Sequence, residues 1–258
     1  GSAMILPKCT DSRFRAGGRP PYRNGKGDGT MYNLSDLRDC AFEAFVTNLG
    51  KYNEGELVGE WVKFPITNEE MQEVFKRIGI GGRYEEWFIT AYECHDPGIY
   101  DLLGEYESLS ELNYLAGQIM ELNESEEFWQ AVLDLGEYTG SVKDLINLTE
   151  NMDCFDYLSG VTSDSDLGYY WIEESGCYDT KAMGALSNYI DYESFGRDIR
   201  FDESGTFTDN GYVRLNGSGF VEVYDGKIGN IPEEYRIQSP NRHIRTAVKS
   251  ELNQEAVR

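Results

Sequence analysis

Phe42-Glu43-Ala44-Phe45-Val46-Thr47-Asn48-Leu49-Gly50-Lys51-Tyr52-Asn53-Glu54-Gly55-Glu56-Leu57-Val58-Gly59-Glu60-Trp61 is the stretch on which the fold turns. Phe42, Ala44 and Val46 alternate with Glu43, Phe45 and Thr47, and a two-residue repeat puts neighbouring side chains on opposite faces of a strand. Gly50 to Gly55 then reads as a loop, and Leu57 to Phe64, carrying Trp61, as a second strand. Behind it, Thr67-Asn68-Glu69-Glu70 is a capping box, in which threonine and glutamate satisfy each other's backbone N–H at a helix start. Met71, Val74, Phe75 and Ile78 continue at helical spacing, and Gly79 supplies the stop. Tyr84 to Cys94, with Trp87, Ile89 and Tyr92, predicts a third strand. The expected product is a small β-β-α-β unit.

Outward from this unit the pattern turns helical and strongly acidic. Ser108-Leu109-Ser110-Glu111 is a second capping box, with Leu112, Leu115, Ile119 and Leu122 behind it. Ser125 caps a helix with Phe128, Trp129, Val132 and Leu133 inward and Gly136 at its end. Ser141 caps another. Asp153 to Leu158 predicts a strand, Asp166 to Gly176 a helix, and Lys181 to Phe195 a longer helix with Met183, Leu186, Ile190 and Phe195 inward. Phe207 to Leu215, turning at Asn210-Gly211, and Phe220 to Tyr224 predict strands of a closing sheet. The class is therefore α+β. The expected division is a basic, irregular extension (1–40), an α+β domain (41–96), an acidic helical domain (97–140), a C-terminal α+β domain (141–236) and a tail (237–258). Ile244, Val248 and Leu252 could give that tail a short helix.

The charge is placed unevenly. The whole chain carries −23, yet residues 1–40 hold seven bases against four acids. From Tyr84 to Asp179 there are 23 Asp and Glu residues and one base, Lys143. Like charges on a helix face destabilise it, so folding alone does not account for such a run. Glu126 and Glu127 have a structural reason, since a helix N-terminus favours anions; Asp134 and Glu137, at the other end, have none. A body this acidic repels nucleic acid and anionic membranes and attracts basic proteins. Halophilic solvation would instead spread acids everywhere, whereas Lys51, Lys63, Lys76, Arg77 and Arg83 moderate the first unit.

Sites of chemistry are scarce. The five cysteines are scattered without a CxxC, which fits a reducing cytoplasm, and no apolar run is long enough to span a bilayer. His95 and His243 have no companion at metal-ligand spacing. Asp164-Ser165-Asp166-Leu167-Gly168 looks like the start of a calcium loop, but Ser175 stands where the bidentate glutamate belongs. Paired carboxylates are too abundant to single out an acid and a base. The expectation is a protein that is not an enzyme, with no catalytic residues, metal or cofactor.

The quoted run from Phe45 to Trp61 strongly resembles the opening of the ArdA antirestriction family. Asp166-Leu167-Gly168-Tyr169-Tyr170, Ile172-Glu173-Glu174-Ser175-Gly176, and Asn188-Tyr189-Ile190-Asp191-Tyr192-Glu193 leading to Gly196-Arg197-Asp198, agree in order. The resemblance implies an elongated, three-part protein that dimerises through its C-terminal part. It further implies a mimic of DNA that fills the DNA groove of Type I restriction–modification enzymes at the methyltransferase core, carried on mobile elements. The alternative is an acidic decoy for another basic nucleic-acid-binding or defence protein. The composition meets this at one point: helices rise about 1.5 Å per residue and duplex DNA shows one charge per about 1.7 Å, so acids every three or four residues on adjacent helices approach duplex charge density. The candidate mimic surface is Glu105, Glu107, Glu111, Glu121, Glu124, Glu126, Glu127, Asp134, Glu137 and Asp144. Tyr189, Ile190, Tyr192 and Phe195 are either core or dimer interface. For Asn48, Tyr52, Asn53, Gly55 and Trp61, turn chemistry and a core tryptophan are favoured over direct contact.

Overall fold

The computed structural model describes residues 39–94 and 96–240. The expected extension (all but its last two residues), the helix around Val248, His95 and His243 lie outside the described residues. By contacts the chain divides into two units: one comprises 125–136 and 151–220, the other 39–124, 137–150 and 221–240 as far as described. Among the described residues no helix is long and apolar enough to cross a membrane.

The second of these units opens with the predicted β-β-α-β arrangement. Strands β1 (Phe42–Asn48), β2 (Gly59–Phe64) and β3 (Trp87–Cys94) form an antiparallel sheet in the order β2-β1-β3. Register pairs Phe45 with Trp61 and Ala91, and Thr47 with Gly59 and Phe88, so these side chains share the outer face. The inner face carries Phe42, Ala44, Val46, Val62, Phe64 and Ile89, all buried. Helix α2 (Asn68–Ile78) buries Met71, Val74, Phe75 and Ile78, and Phe75 meets Trp87 of the inner face with ring centroids 4.8 Å apart. Its capping box is closed in both directions: Thr67 Oγ1 accepts from the Glu70 N–H at 3.2 Å, and Glu70 Oε2 from the Thr67 N–H at 3.1 Å. Gly79 ends it in the left-handed conformation at φ +80°.

The stretch expected as a loop after β1 is in part a short helix, α1 (Leu49–Asn53). Asn48 explains it. Its buried amide accepts from the Lys51 N–H at 3.0 Å, capping α1, and donates to the Ile78 carbonyl at 3.0 Å, fastening the end of α2. Gly59 is required on steric grounds, because a Cβ there would lie 2.8 Å from the Val46 carbonyl oxygen.

Beyond β3 and the short α3 (Pro97–Tyr100) come α4 (Leu109–Glu121) and, in the same unit, α6 (Val142–Thr149). Two buried asparagines tie these helices to distant backbone. Asn113 donates to the carbonyls of Ile66 (2.9 Å) and Tyr235 (3.1 Å) and accepts from the Ile66 N–H (2.7 Å). Asn147 donates to the Tyr224 carbonyl (2.9 Å) and accepts from the N–H groups of Val223 (2.7 Å) and Tyr224 (2.8 Å). Residues 220–224 are therefore not the expected strand: an amide side chain supplies the partners a sheet would have given.

The first unit holds α5 (Glu126–Leu135) and a small antiparallel sheet in the order β4-β6-β5, formed by β4 (Phe155–Ser159), β5 (Thr206–Phe207) and β6 (Gly211–Leu215). Phe128 of α5 stacks on Tyr157 of β4 at 5.6 Å. Helix α7 (Asp164–Tyr169), extended by a wider turn at 170–174, crosses α9 (Tyr192–Glu203). The crossing is close because Gly168 and Gly196 lack side chains; a Cβ on either would fall within 2 Å of backbone, 1.9 Å from the Tyr192 carbonyl oxygen and 1.8 Å from that of Asp164. Leu158, Val161, Leu167, Ile199 and Tyr212 form the core here.

The single helix expected over Lys181–Phe195 is not found. α8 (Thr180–Met183) stops at Gly184, whose φ of +57° breaks the helical path, and a 3₁₀ turn (184–189) separates it from α9, capped by Asp191. Met183 and Leu186 consequently point to solvent rather than inward.

Candidate functional site

The ten candidate carboxylates sit on capped helices or on the segments that join them. Ser108 caps α4, whose first turn holds Glu111 and whose last residue is Glu121. Ser125 caps α5, with Glu126 and Glu127 in the first turn and Asp134 in the last. Ser141 caps α6 and also donates to Asp144 at 2.7 Å. Glu105 and Glu107 precede α4, Glu124 lies between α4 and α5, and Glu137 follows Gly136, the left-handed cap of α5. Glu105, Glu121, Glu126, Glu127, Asp134 and Glu137 are exposed, while Glu107, Glu111, Glu124 and Asp144 are half-buried. The half-buried set includes carboxylates with structural duties. Glu111 accepts from the Tyr224 hydroxyl at 2.9 Å, and Glu107 from the Gly104 N–H at 3.2 Å.

The cations decide what this array can do. Apart from Glu126, none of the ten has a Lys or Arg nitrogen within 4.0 Å among the described residues. Lys143, the base within this run, is engaged by Glu222 at 3.0 Å. In the β-β-α-β part the opposite holds. Lys63 meets Asp39 (2.5 Å) and Glu43 (3.9 Å), Lys76 meets Glu73 (2.5 Å), Arg83 meets Glu54 (2.8 Å), and Arg77 grips Glu60 with two bonds of 2.7 and 2.9 Å. Those donated bonds hold the Glu60 carboxyl below the usual range.

The four interface candidates separate. Tyr189 is 84% exposed beside exposed Leu186, and Ile190 is half-buried. Tyr192 instead donates to Glu173 at 2.7 Å, and Phe195 packs on the first unit's core with its ring 5.7 Å from that of Tyr178. Of the motif residues, Asn48 is the cap already described and Gly55 adopts φ +89°. Trp61 corrects the expectation of a core residue: it lies on the outer face, 43% exposed, with its ring 5.4 Å from that of Phe45.

Other chemistry is accounted for locally. Asp164 pairs with Arg200 at 2.8 Å, and Asp166 accepts from Ser163 Oγ at 2.7 Å, so the stretch resembling a calcium loop is a helix cap. Among the described residues no three His, Cys, Asp or Glu side chains gather as a metal site. A half-buried charge cluster lies in the first unit: Arg214 bonds both Asp156 (2.8 Å) and Glu203. One guanidinium between two carboxylates leaves a net negative charge, and burial pushes the Glu203 carboxyl up to about 7 against the pull of Arg214.

These features define an α+β protein whose chief chemical asset is an array of surface carboxylates. Comparison with known sequences narrows the class: the family described as Antirestriction protein (ArdA) matches over residues 44–214. That span is about two thirds of the chain and includes every candidate acid and interface residue, and the chain belongs to the ArdA antirestriction family. No curated protein matches it. Restriction enzymes are accordingly the partners that this family's activity concerns.

Proposed function

We propose that this protein is a DNA mimic that occupies the DNA-binding groove of Type I restriction–modification enzymes at the methyltransferase core and competes there with DNA. The observation that carries the reading is that, Glu126 apart, the carboxylates on and around α4, α5 and α6 have no cation partners among the described residues. A groove evolved to bind duplex presents Lys and Arg at phosphate spacing, and an acidic surface meets the same cations. Opposite potentials steer the encounter and make it fast at low salt. No residue need react: inhibition is occupancy.

The reading includes a homodimer joined near Tyr189 and Ile190, where exposed Tyr189 and Leu186 leave an apolar surface that a second copy would cover. Replacing Tyr189 and Leu186 by Asp should halve the mass measured by sedimentation; an unchanged mass places the contact elsewhere. The main test is displacement of a labelled duplex from a purified Type I methyltransferase core by the full chain, between about 50 and 200 mM salt. The expected result is competitive displacement that weakens steeply with salt. Failure to displace at either salt sinks the mimic, and equal inhibition of unrelated basic DNA-binding proteins makes the chain a general acidic decoy.

A further inference from the structure

The outer face of the β2-β1-β3 sheet carries a set of rings that the carboxylate array does not explain. Tyr106 is 73% exposed and lies nearly parallel to Phe88, with centroids 6.0 Å apart. Tyr52, 50% exposed, meets the same Phe88 edge-on at 5.1 Å, and Trp61 stands on Phe45 along the sheet. In each case an inner ring supports an outer one that faces solvent. The segment bearing Tyr106 is fixed in place: the Ile89 N–H donates to the Glu105 carbonyl at 2.8 Å, and the Tyr92 hydroxyl to the Gly104 carbonyl at 2.7 Å. Exposed aromatics held rigidly are a liability in water and an asset in an interface, where Tyr and Trp dominate binding energy.

We infer that this aromatic face is a second part of the partner-binding surface, taking arginine side chains from the enzyme's DNA groove; the inference rests on the mimic reading. The charge around the rings selects the occupant. Glu105 and Glu107 flank Tyr106 in sequence, and Glu93 projects from β3 on the same face, all without cation partners among the described residues. A guanidinium is the group that satisfies a ring face and a carboxylate together, since it stacks flat and donates in its own plane. The same unit already contains this arrangement, filled from within. The Arg83 guanidinium carbon lies 5.2 Å from the centre of the Tyr84 ring while its nitrogen bonds Glu54, which also accepts from the Tyr84 hydroxyl at 2.7 Å. Glu105-Tyr106-Glu107 repeats the residue types and lacks the arginine. Carboxylates of the array supply attraction that salt screens; stacking supplies a component that salt leaves intact.

The test is the duplex-displacement assay with the full chain and three variants. Tyr106→Leu with Tyr52→Leu keeps apolar area but removes the ring faces, and should weaken inhibition by about ten- to a hundredfold, with the salt dependence of binding unchanged. Tyr106→Phe keeps the face and should inhibit within about twofold of wild type. Tyr106→Ala should follow the leucine variant, and because the side chain is mostly exposed its melting temperature should stay near wild type. Leucine variants that inhibit like wild type overturn the inference while leaving the mimic standing. So does a change of sedimentation coefficient in those variants, which would assign the face to a second copy. Wild-type protein that leaves the duplex bound removes both readings.

Discussion

Helices α2 and α4–α6 solve the same local problem and then diverge. All four start at a Ser or Thr cap, and each has an acid in its first turn, as the helix dipole favours. α2 ends on Lys76 and Arg77, which complement the negative C-terminus and pair with Glu73 and Glu60. α4, α5 and α6 have no base in their last turn, and Glu121 and Asp134 stand there instead. The first pattern is what stability alone produces. The second forgoes stability along the chain, and the uncompensated charge is what a basic partner can use.

The difference can be broken most severely by exchanging charge for amide in each region. Changing Glu105, Glu121, Glu127, Asp134 and Glu137 together to Gln or Asn should reduce inhibition of a Type I enzyme about a hundredfold or more and flatten its salt dependence. The same treatment of Glu54, Glu60, Glu69 and Glu73 should cost stability and leave inhibition largely intact. Equal losses in the two sets, read by duplex displacement, would erase the distinction.

Glu203 is an intermediate case, a half-buried acid sharing one cation with Asp156. Its folded-state value of about 7 exceeds the unfolded value of about 4.3, so the folded chain binds the extra proton between those limits. Stability therefore falls as pH rises through that window and levels off above it. Glu203→Gln should be more stable than wild type by about 1–3 kcal/mol near pH 8, the gap closing towards pH 4, in urea denaturation across pH. A gap independent of pH would show that the charge is not the cause.

A smaller effect separates stability from function at the end of α5. Asp134→Asn with Glu137→Gln should stabilise the protein by about 0.3–1 kcal/mol at low salt, fading as salt is added, while inhibition weakens. Destabilisation in thermal melts would contradict the dipole argument. Least of all should follow from Lys76→Ala, no resolvable shift of the urea midpoint, because the Lys76–Glu73 pair is exposed.

The β-β-α-β part was legible because its signals are local. Thr67, Glu70 and Gly79 specify α2 within a dozen residues, and the alternation of Phe42, Ala44 and Val46 gives the buried side of β1. The same alternation held a clue to Trp61: with Val62 and Phe64 inward, Trp61 and Lys63 must face out. Here the alternation of the strand outweighs tryptophan's usual preference for burial. The break at Gly184 is a backbone conformation that composition permits but does not announce. Residues 220–224 failed differently, since their partner, Asn147, lies 76 and 77 positions away in sequence. Of the candidate site, the acids were visible as a count, whereas which of them lack cation partners among the described residues depends on pairings such as Lys143 with Glu222 that only the folded chain reveals.

The asparagine ties have a further consequence, for biogenesis. Gln238 bonds through its backbone to Asn68 and Gln72, 170 and 166 positions earlier, and the Tyr235 carbonyl closes on Asn113. A unit begun by β1 and α2 is thus finished by chain about 170 positions further on. Its nascent helices wait with amide groups unclaimed, and such distant closures make for slow maturation. The β-β-α-β part can close its amide ties only once residues 235–238 have been made, so its completion lags well behind the synthesis of its own strands.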